Sequence, residues 1–406
     1  MVGLTQSKFL TKEKFKVQIV ENLEELKLHA DSWNQLAFEA TQQLPMTSYA
    51  WVSSYFEHYV GVGESWFCVF AYHDSELVGV LPLIVTPQRF FGFNFKLLVI
   101  RKSSQSCSLD IVAALGIENI VIPVLIDAAK KFCPHHLGMV FERLPENSPT
   151  IAALEGMSDI SLIKELHWMM GANLKITGYF DEYRETLSGN LRSTIKRSGK
   201  KLYQLEGVKT IFLKGSDATE KHLPQLIEVE AASWKGTRGY LIANSSIDVS
   251  FFTNLTRRLS EAGWLEWQIL EAEGKTIAIN LAIKLKRSTI IWKLAYDDSY
   301  SKFSPGTILF EQVVKSAYAD KVDEINLISD FSWYDNWKMD KRPHYTIKLY
   351  SHQPISLIFG LLPAYVLKNL KVLKRRFVKQ YKKLLVINPL LRNQRTQRTQ
   401  IKKQKT

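Results

Sequence analysis

Between Ile277 and Leu285 the chain reads Ile-Ala-Ile-Asn-Leu-Ala-Ile-Lys-Leu, with a large apolar side chain on every odd position. Only an extended backbone sends alternate side chains to opposite faces, so this run is a strand, with Asn280 as a polar side chain inside it. Its neighbours repeat the period. Leu265, Trp267 and Ile269 alternate before an acidic turn carrying Gly274, and Ile290, Trp292, Leu294 and Tyr296 alternate after Arg287-Ser288. Three such runs joined by short turns predict an antiparallel meander. A loop ending in Ser304-Pro305-Gly306 then opens a helix through Ala319, and Val322 to Leu327 is a further strand.

The same order occurs some two hundred positions earlier. Trp66 to Tyr72, a polar turn at His73 to Glu76, and Leu77 to Val85 predict a hairpin. Asn94 to Ile100 and Ser108 to Val112 add strands, Gly116-Ile117 opens a helix through Phe132, and Leu137 to Phe141 is a strand. The chain therefore reads as a degenerate tandem repeat of one mixed α/β unit. Upstream of the first unit, Val17 to Val20 is a short strand and Asn22 caps a helix through Ala37; a second helix runs from Ser48 to Tyr59.

Pro145 to Pro149 breaks the chain after the first unit, and a linking segment runs to Leu174. Asp181 to Leu205 is helical, with Leu187, Leu191, Ile195 and Leu202 on one face and Arg192, Lys196, Arg197, Lys200 and Lys201 on another. Such a face is either simply solvated or contacts phosphate. Helices at Asp217 to Trp234 and Ile247 to Ala262 precede the meander. The boundaries predicted are an N-terminal unit at 1–165, a C-terminal unit at 166–350 and a tail at 351–406.

The tail is chemically distinct. Lys and Arg total 53 against 40 Asp and Glu, but residues 361–406 hold fourteen of the cations and no acid, so the rest of the chain is close to neutral. Val366, Leu370, Leu373, Phe377, Tyr381 and Leu384 form one helical stripe, with Lys368, Lys371, Lys374, Arg375, Lys379 and Lys382 largely elsewhere. A basic amphipathic helix lies on an anionic membrane surface or packs on its own protein with the charges solvated. After Pro389 the composition predicts disorder.

Several chemistries find no support. Gly61-Val62-Gly63 lacks the third glycine of a dinucleotide loop, and there is no Walker lysine loop, HExxH or GxSxG. Cys68, Cys107 and Cys133 are isolated, and His135-His136 lacks a partner carboxylate at helical spacing, so no metal site is expected. The polar N-terminus and the absence of a long apolar run predict a cytoplasmic protein without a transmembrane helix.

At Ser304-Pro305-Gly306 the punctuation admits two readings: an ordinary helix start, or free backbone N–H groups at a positive dipole end, which suit a diphosphate. The order of elements around it resembles the GNAT acyltransferase superfamily. More closely it is similar to the cellulose-biosynthesis (CelD-type) acetyltransferases, relatives of the Fem peptidoglycan aminoacyl ligases with two GNAT-like units. Leu191-Arg-Ser-Thr-Ile-Lys-Arg197, Ser233-Trp-Lys-Gly236, Gly274-Lys-Thr-Ile-Ala278, Ala295-Tyr-Asp297, Ser304-Pro-Gly306, Asp330-Phe331 and Trp337-Lys338 carry the resemblance. Its departures are a loop with only Gly306 and Lys302 where ordinary GNAT loops are richer in glycine and basic residues, and Ser332, Trp333 and Trp337 where a glycine and a tyrosine are usual.

The resemblance implies an α/β fold with mixed sheets, tandem GNAT-like units and the basic C-terminal helix. It implies acetyl-CoA or another acyl-CoA as donor, held by Asn280, Lys302, Ser304, Gly306 and Thr307, with no metal. Asp330 and Asp297 would serve as general base, Tyr296 would reprotonate the leaving thiolate, and Trp234, Lys235, Trp337 and Lys338 would line an acceptor or adenosine-phosphate surface. The acceptor would be an amine or hydroxyl on a small molecule or a cell-envelope polysaccharide precursor, including a lipid-linked sugar at the inner membrane. The alternatives are a Fem-like ligase drawing on aminoacyl-tRNA and a non-catalytic membrane-surface scaffold that keeps the fold.

Overall fold

The computed structural model describes residues 14–90, 92–100, 108–239, 241–370 and 373. The chain begins with β1 (Lys16–Val20), α1 (Leu23–Lys27), α2 (Ala30–Glu39) and α3 (Tyr49–Tyr59). The single helix expected after Asn22 is broken at Leu28-His29, where His29 leaves the helical path to stack on Phe70 at 4.2 Å and bond the Tyr72 hydroxyl at 2.6 Å. Strands β2 (Ser65–His73), β3 (Glu76–Phe90), β4 (Phe93–Val99) and β5 (Val112–Ala113) follow, then α4 (Glu118–Phe132) and β6 (His136–Pro145). The strand expected at Ser108 to Val112 shrinks to β5 because Asp110 turns its own carboxylate onto the Ile111 amide at 2.8 Å.

The segment expected to be a link is structured as α5 (Pro149–Glu155), β7 (Ile160–Leu166) and β8 (Gly171–Lys175). Pro149, read from sequence as a break, occupies the first turn of α5 behind a Ser148 cap, where a missing N–H costs nothing. The expected basic helix is two helices, α6 (Phe180–Thr186) and α7 (Gly189–Leu202), because Leu187 is extended and buried and Ser188 caps the second through the Leu191 amide at 3.2 Å. Then come β9 (Lys209–Leu213), α8 (Leu223–Ala231), α9 (Trp234–Arg238), α10 (Ser246–Glu261), β10 (Leu265–Ala272), β11 (Lys275–Leu285) and β12 (Ser288–Tyr296). Helix α11 (Pro305–Ala319), β13 (Glu324–Asn326), β14 (Asp340–Arg342) and β15 (His344–Ser351) complete the two sheets.

Each sheet contains an antiparallel meander followed by a helix and a parallel strand, β4 with β6 in one and β12 with β13 in the other. This is a tandem GNAT-like architecture of mixed α/β class. The first sheet runs β1-β2-β3-β4-β6-β15-β7, with β5 on β3, and the second runs β14-β8-β13-β12-β11-β10-β9. Late in the chain, β15 returns to the first sheet between β6 and β7, so the two units are tied at both ends.

Strand β11 is buried on both faces over residues 277–283, with its large apolar side chains on one face and small or polar ones on the other. Ile279, Leu281, Ile283 and Leu285 join a core shared with α8, α10 and the first unit, while Ala278 and Ala282 face α11 in a second core. Methyl side chains let the helix axis approach the sheet closely. After β15 a π-type turn, Ser356–Leu361, leads into a helix over 362–370. The continuation of the expected amphipathic stripe through Phe377, Tyr381 and Leu384 lies outside the described residues, as does Cys107. Among the described residues no helix is long and apolar enough to cross a membrane.

Candidate functional site

Strands β12 and β13 pair only over Ser288–Ile290 and Glu324–Asn326 and then separate. Two local features drive them apart. Opposite Leu281 and Ala282, β12 carries Trp292 as an extra residue, a bulge that increases its bend. After Asn326 the other chain turns toward β8: the Leu327 amide bonds Ala172 at 2.8 Å, Ile328 takes φ +58°, and its amide closes onto the Asn326 side chain at 2.8 Å. The result is a slot between the second half of β12 and residues 327–330.

Helix α11 starts at the open end of this slot. Ser304 adopts φ 52° and ψ 49°, Pro305 supplies no N–H, and no side chain caps the helix. The amides of Gly306 and Thr307 thus lie in an uncapped first turn at the positive end of a fifteen-residue helix. Gly306 packs closely on β12: a Cβ there would come within 3.1 Å of Tyr296 Cδ1, so the ring would have to shift by a few tenths of an ångström. The Ser304 hydroxyl lies 3.2 Å from that of the buried Ser198, which brings α7 against the same mouth; the lysines and arginines of that helix are exposed. Lys302 is exposed next to it, its ammonium 4.9 Å from the Phe303 ring.

Of the residues singled out from sequence, Tyr296, Lys302, Ser304, Gly306 and Thr307 therefore cluster at one mouth. Burial, and then the Asp298 carboxylate, push the Tyr296 phenol upward, so it remains a proton donor at neutral pH. Asp297 closes the turn after β12, accepting from the Ser299 amide at 2.8 Å and hydroxyl at 2.7 Å. Asp330 lies two residues beyond Ile328 and pairs with Lys341 at 3.4 Å. Asn280 lies mid-sheet and buried, donating to Gln268 at 2.9 Å, which in turn donates to Glu266 at 2.8 Å. Lys235 is engaged by Glu230 and by the Leu294 carbonyl on β12, both at 2.8 Å. Trp337 is buried against Phe310 at 4.7 Å, whereas Lys338 and Trp234 are exposed.

Sequence reasoning missed a cavity of about 400 Å³ between the two units, bordered by the paired part of β12 and β13 and by Ile328. Gln43, Ser108, Asn173, Asn326, Arg342 and His344 contribute to its wall. Glu324 accepts from Arg342 at 3.0 Å and Asn173 at 3.3 Å; Lys175 and Asp323 also border the cavity, and the rest of its polar lining is neutral. Ser108 Oγ sits 3.0 Å from His344 Nε2, and the buried Nδ1 has no hydrogen-bond partner. Burial, then the charge of Arg143, hold this imidazole neutral with a pKa pulled down to about 3. Behind the wall, Gln42 donates to the fully buried Asp110 at 2.6 Å. Burial pushes that carboxyl up to about 6 against the hydrogen bonds of Thr150, Ser148, Ile111 and Gln42. The only hint in the sequence was the placing of Asn173 and Asn326 in apolar strands; Ser108 and His344 are too far apart for any spacing rule.

A family model described as Acetyltransferase (GNAT) domain matches residues 189–338, the segment that holds the slot and its mouth. Among solved structures, FemX is similar at a TM-score of 0.57 and 10% identity, over 82% of this chain and 96% of that one. A conserved protein of unknown function from Bacteroides thetaiotaomicron VPI-5482 is similar at 0.50 and 12% identity, over 82% and 99%. At these identities the likeness is one of fold. No curated protein sequence matches the chain. Residues 189–338 thus match a GNAT-fold acetyltransferase domain, which supports an acyltransferase-like function. Among the described residues there is no cluster of three or more metal-ligating side chains.

Proposed function

We propose that the protein transfers an acyl group from an acyl-CoA thioester to an amine or hydroxyl on a sugar-like acceptor, in the manner of the CelD-type acetyltransferases. The observation that carries this reading is the divergence of β12 and β13 beside the uncapped start of α11. A pantetheine arm is an extended, amide-bearing chain that fits between separated strands. Its diphosphate suits the Gly306 and Thr307 amides, with Lys302 and the α7 cations adding opposite charge.

The acceptor would lie in the cavity between the units, whose amides and hydroxyls match a neutral polyhydroxyl compound. Its nucleophile attacks the thioester carbonyl carbon, a C–N or C–O bond forms, and the C–S bond breaks. Asp330 receives the proton lost by the nucleophile, and Tyr296 returns one to the thiolate. Trp234 and Lys338, both exposed, would extend the binding surface.

Titration calorimetry with acetyl-CoA and longer acyl-CoA esters tests the donor: saturable binding is expected, and no heat with any thioester would refute it. The likeness to FemX and the exposed basic face of α7 favour a second reading, aminoacyl transfer from tRNA, in the manner of the Fem ligases. Binding of aminoacyl-tRNA that survives removal of residues 361–406, with none of acyl-CoA, would establish that reading instead.

A further inference from the structure

One surface of the first unit is unexplained by acyl transfer. The hairpin between β3 and β4 reads Phe90-Phe91-Gly92-Phe93-Asn94-Phe95. Phe90 pairs directly with Phe93, and Gln88 with Phe95, so Phe90, Phe93 and Phe95 share one face of the ribbon. Phe359, in the π-type turn after β15, stacks on Phe95 at 5.1 Å and meets Phe90 edge-on at 6.1 Å. Two contacts fix that turn to the first unit. The Ser356 hydroxyl donates to the Leu137 carbonyl at 2.8 Å, and a Cβ on Gly360 would lie 2.3 Å from the same oxygen.

From this anchor the helix over 362–370 carries its apolar side chains outward. Ile358, Leu362, Tyr365, Val366, Leu370 and Leu373 fall within one stripe and are all exposed, as is Phe93 at 64%. In sequence, the charge adjoining this face is of one sign: residues 341–406 contain no Asp or Glu, and residues 361–406 hold fourteen Lys or Arg. An apolar face continuous in sequence with a run of cations matches an anionic bilayer, where alkyl and aromatic groups enter the acyl boundary and lysine or arginine meets the headgroups.

We propose that the β3–β4 hairpin and residues 356–370 form one composite surface that seats this protein on an anionic lipid bilayer. The two parts are joined by Phe95 stacked against Phe359. This placement is independent of the donor and acceptor chemistry.

Co-sedimentation of the full chain with vesicles of phosphatidylcholine alone, or mixed with phosphatidylglycerol, tests it. Partitioning onto the mixed vesicles at least ten times stronger than onto the neutral ones is expected, falling in high salt. Phe93→Ser combined with Leu362→Ser should weaken it about tenfold or more, with an unchanged thermal melt because both side chains are exposed. No partitioning onto anionic vesicles would overturn the proposal. So would undiminished partitioning of the double variant, which would assign binding to the charge of residues 361–406 alone. Loss of a dimer in that variant without loss of vesicle binding would assign the face to a second copy of the chain and overturn it too.

Discussion

Gly306 and Tyr296 are in such close contact that a single methyl on the glycine would lie 3.1 Å from the tyrosine ring. This approach brings the first turn of α11 onto the end of β12 and sets the width of the mouth between them. Gly306→Val should push Tyr296 off its rotamer or lift the helix start, weakening acyl-CoA binding by about tenfold, equivalent to about 1.4 kcal/mol. Adding Tyr296→Ala removes the obstacle and should recover part of the loss. Calorimetric titration of the three proteins checks this, and equal affinity in all of them would count against a donor at this mouth.

Lys235 and Glu230 form a pair in which the carboxylate is 1% exposed and the ammonium also reaches the Leu294 carbonyl. Lys235→Met leaves a buried carboxylate without its partner and should cost about 3–5 kcal/mol in chemical denaturation. Glu230→Gln in the same chain removes the stranded charge while keeping an acceptor for the Ile242 amide, now 3.2 Å away. The double variant should therefore be more stable than Lys235→Met alone.

Lys235 also shows how the sequence could be read and where reading stopped. Its place beside Trp234 suggested a substrate contact, and the sequence does not reveal that Glu230 and a carbonyl of β12 engage it. The meander, by contrast, was visible in the period of Ile277 to Leu285, because alternation is a local consequence of strand geometry. The split between β12 and β13 was not, since it arises from a one-residue bulge at Trp292 and a left-handed Ile328, neither of which alters the hydrophobic pattern. The cavity was invisible for a related reason: Ser108 and His344 meet only because β15 returns to the first sheet.

Asp110 and His344 pull the pH dependence of stability in opposite directions. The Asp110 carboxyl is raised to about 6 from its ordinary 3.8, so the folded state binds its proton more tightly, and stability falls as pH rises from about 4 to 6. The His344 imidazole is lowered to about 3 from 6.5, so the unfolded state binds its proton more tightly, and stability is lost as pH falls below 6.5. Between pH 4 and 6 the two slopes offset each other. Asp110→Asn should leave stability rising with pH across that window, and His344→Gln should leave it falling. Urea denaturation midpoints at pH 4, 5 and 6 report the sign in each variant, and parallel curves for both would show that neither group titrates as described.

Trp292, the extra residue of the β12 bulge, projects away from α11 and meets Trp51 of the first unit edge-to-face at 4.6 Å. Both indole N–H groups are buried without a hydrogen-bond partner, so what the pair contributes is apolar area and ring geometry rather than polar bonding. Trp292→Phe keeps a ring and deletes an unsatisfied donor, and should cost no more than about 1 kcal/mol. Trp292→Ala empties the contact and should cost about 3–5 kcal/mol. Because the same core runs from the first unit through the large side chains of β11 to α8 and α10, that loss should appear as one earlier transition rather than release of one unit. Denaturation followed by both far-ultraviolet circular dichroism and tryptophan fluorescence distinguishes the cases. Coincident curves are expected, and two separated transitions would show that the bulge contact is not what joins the units.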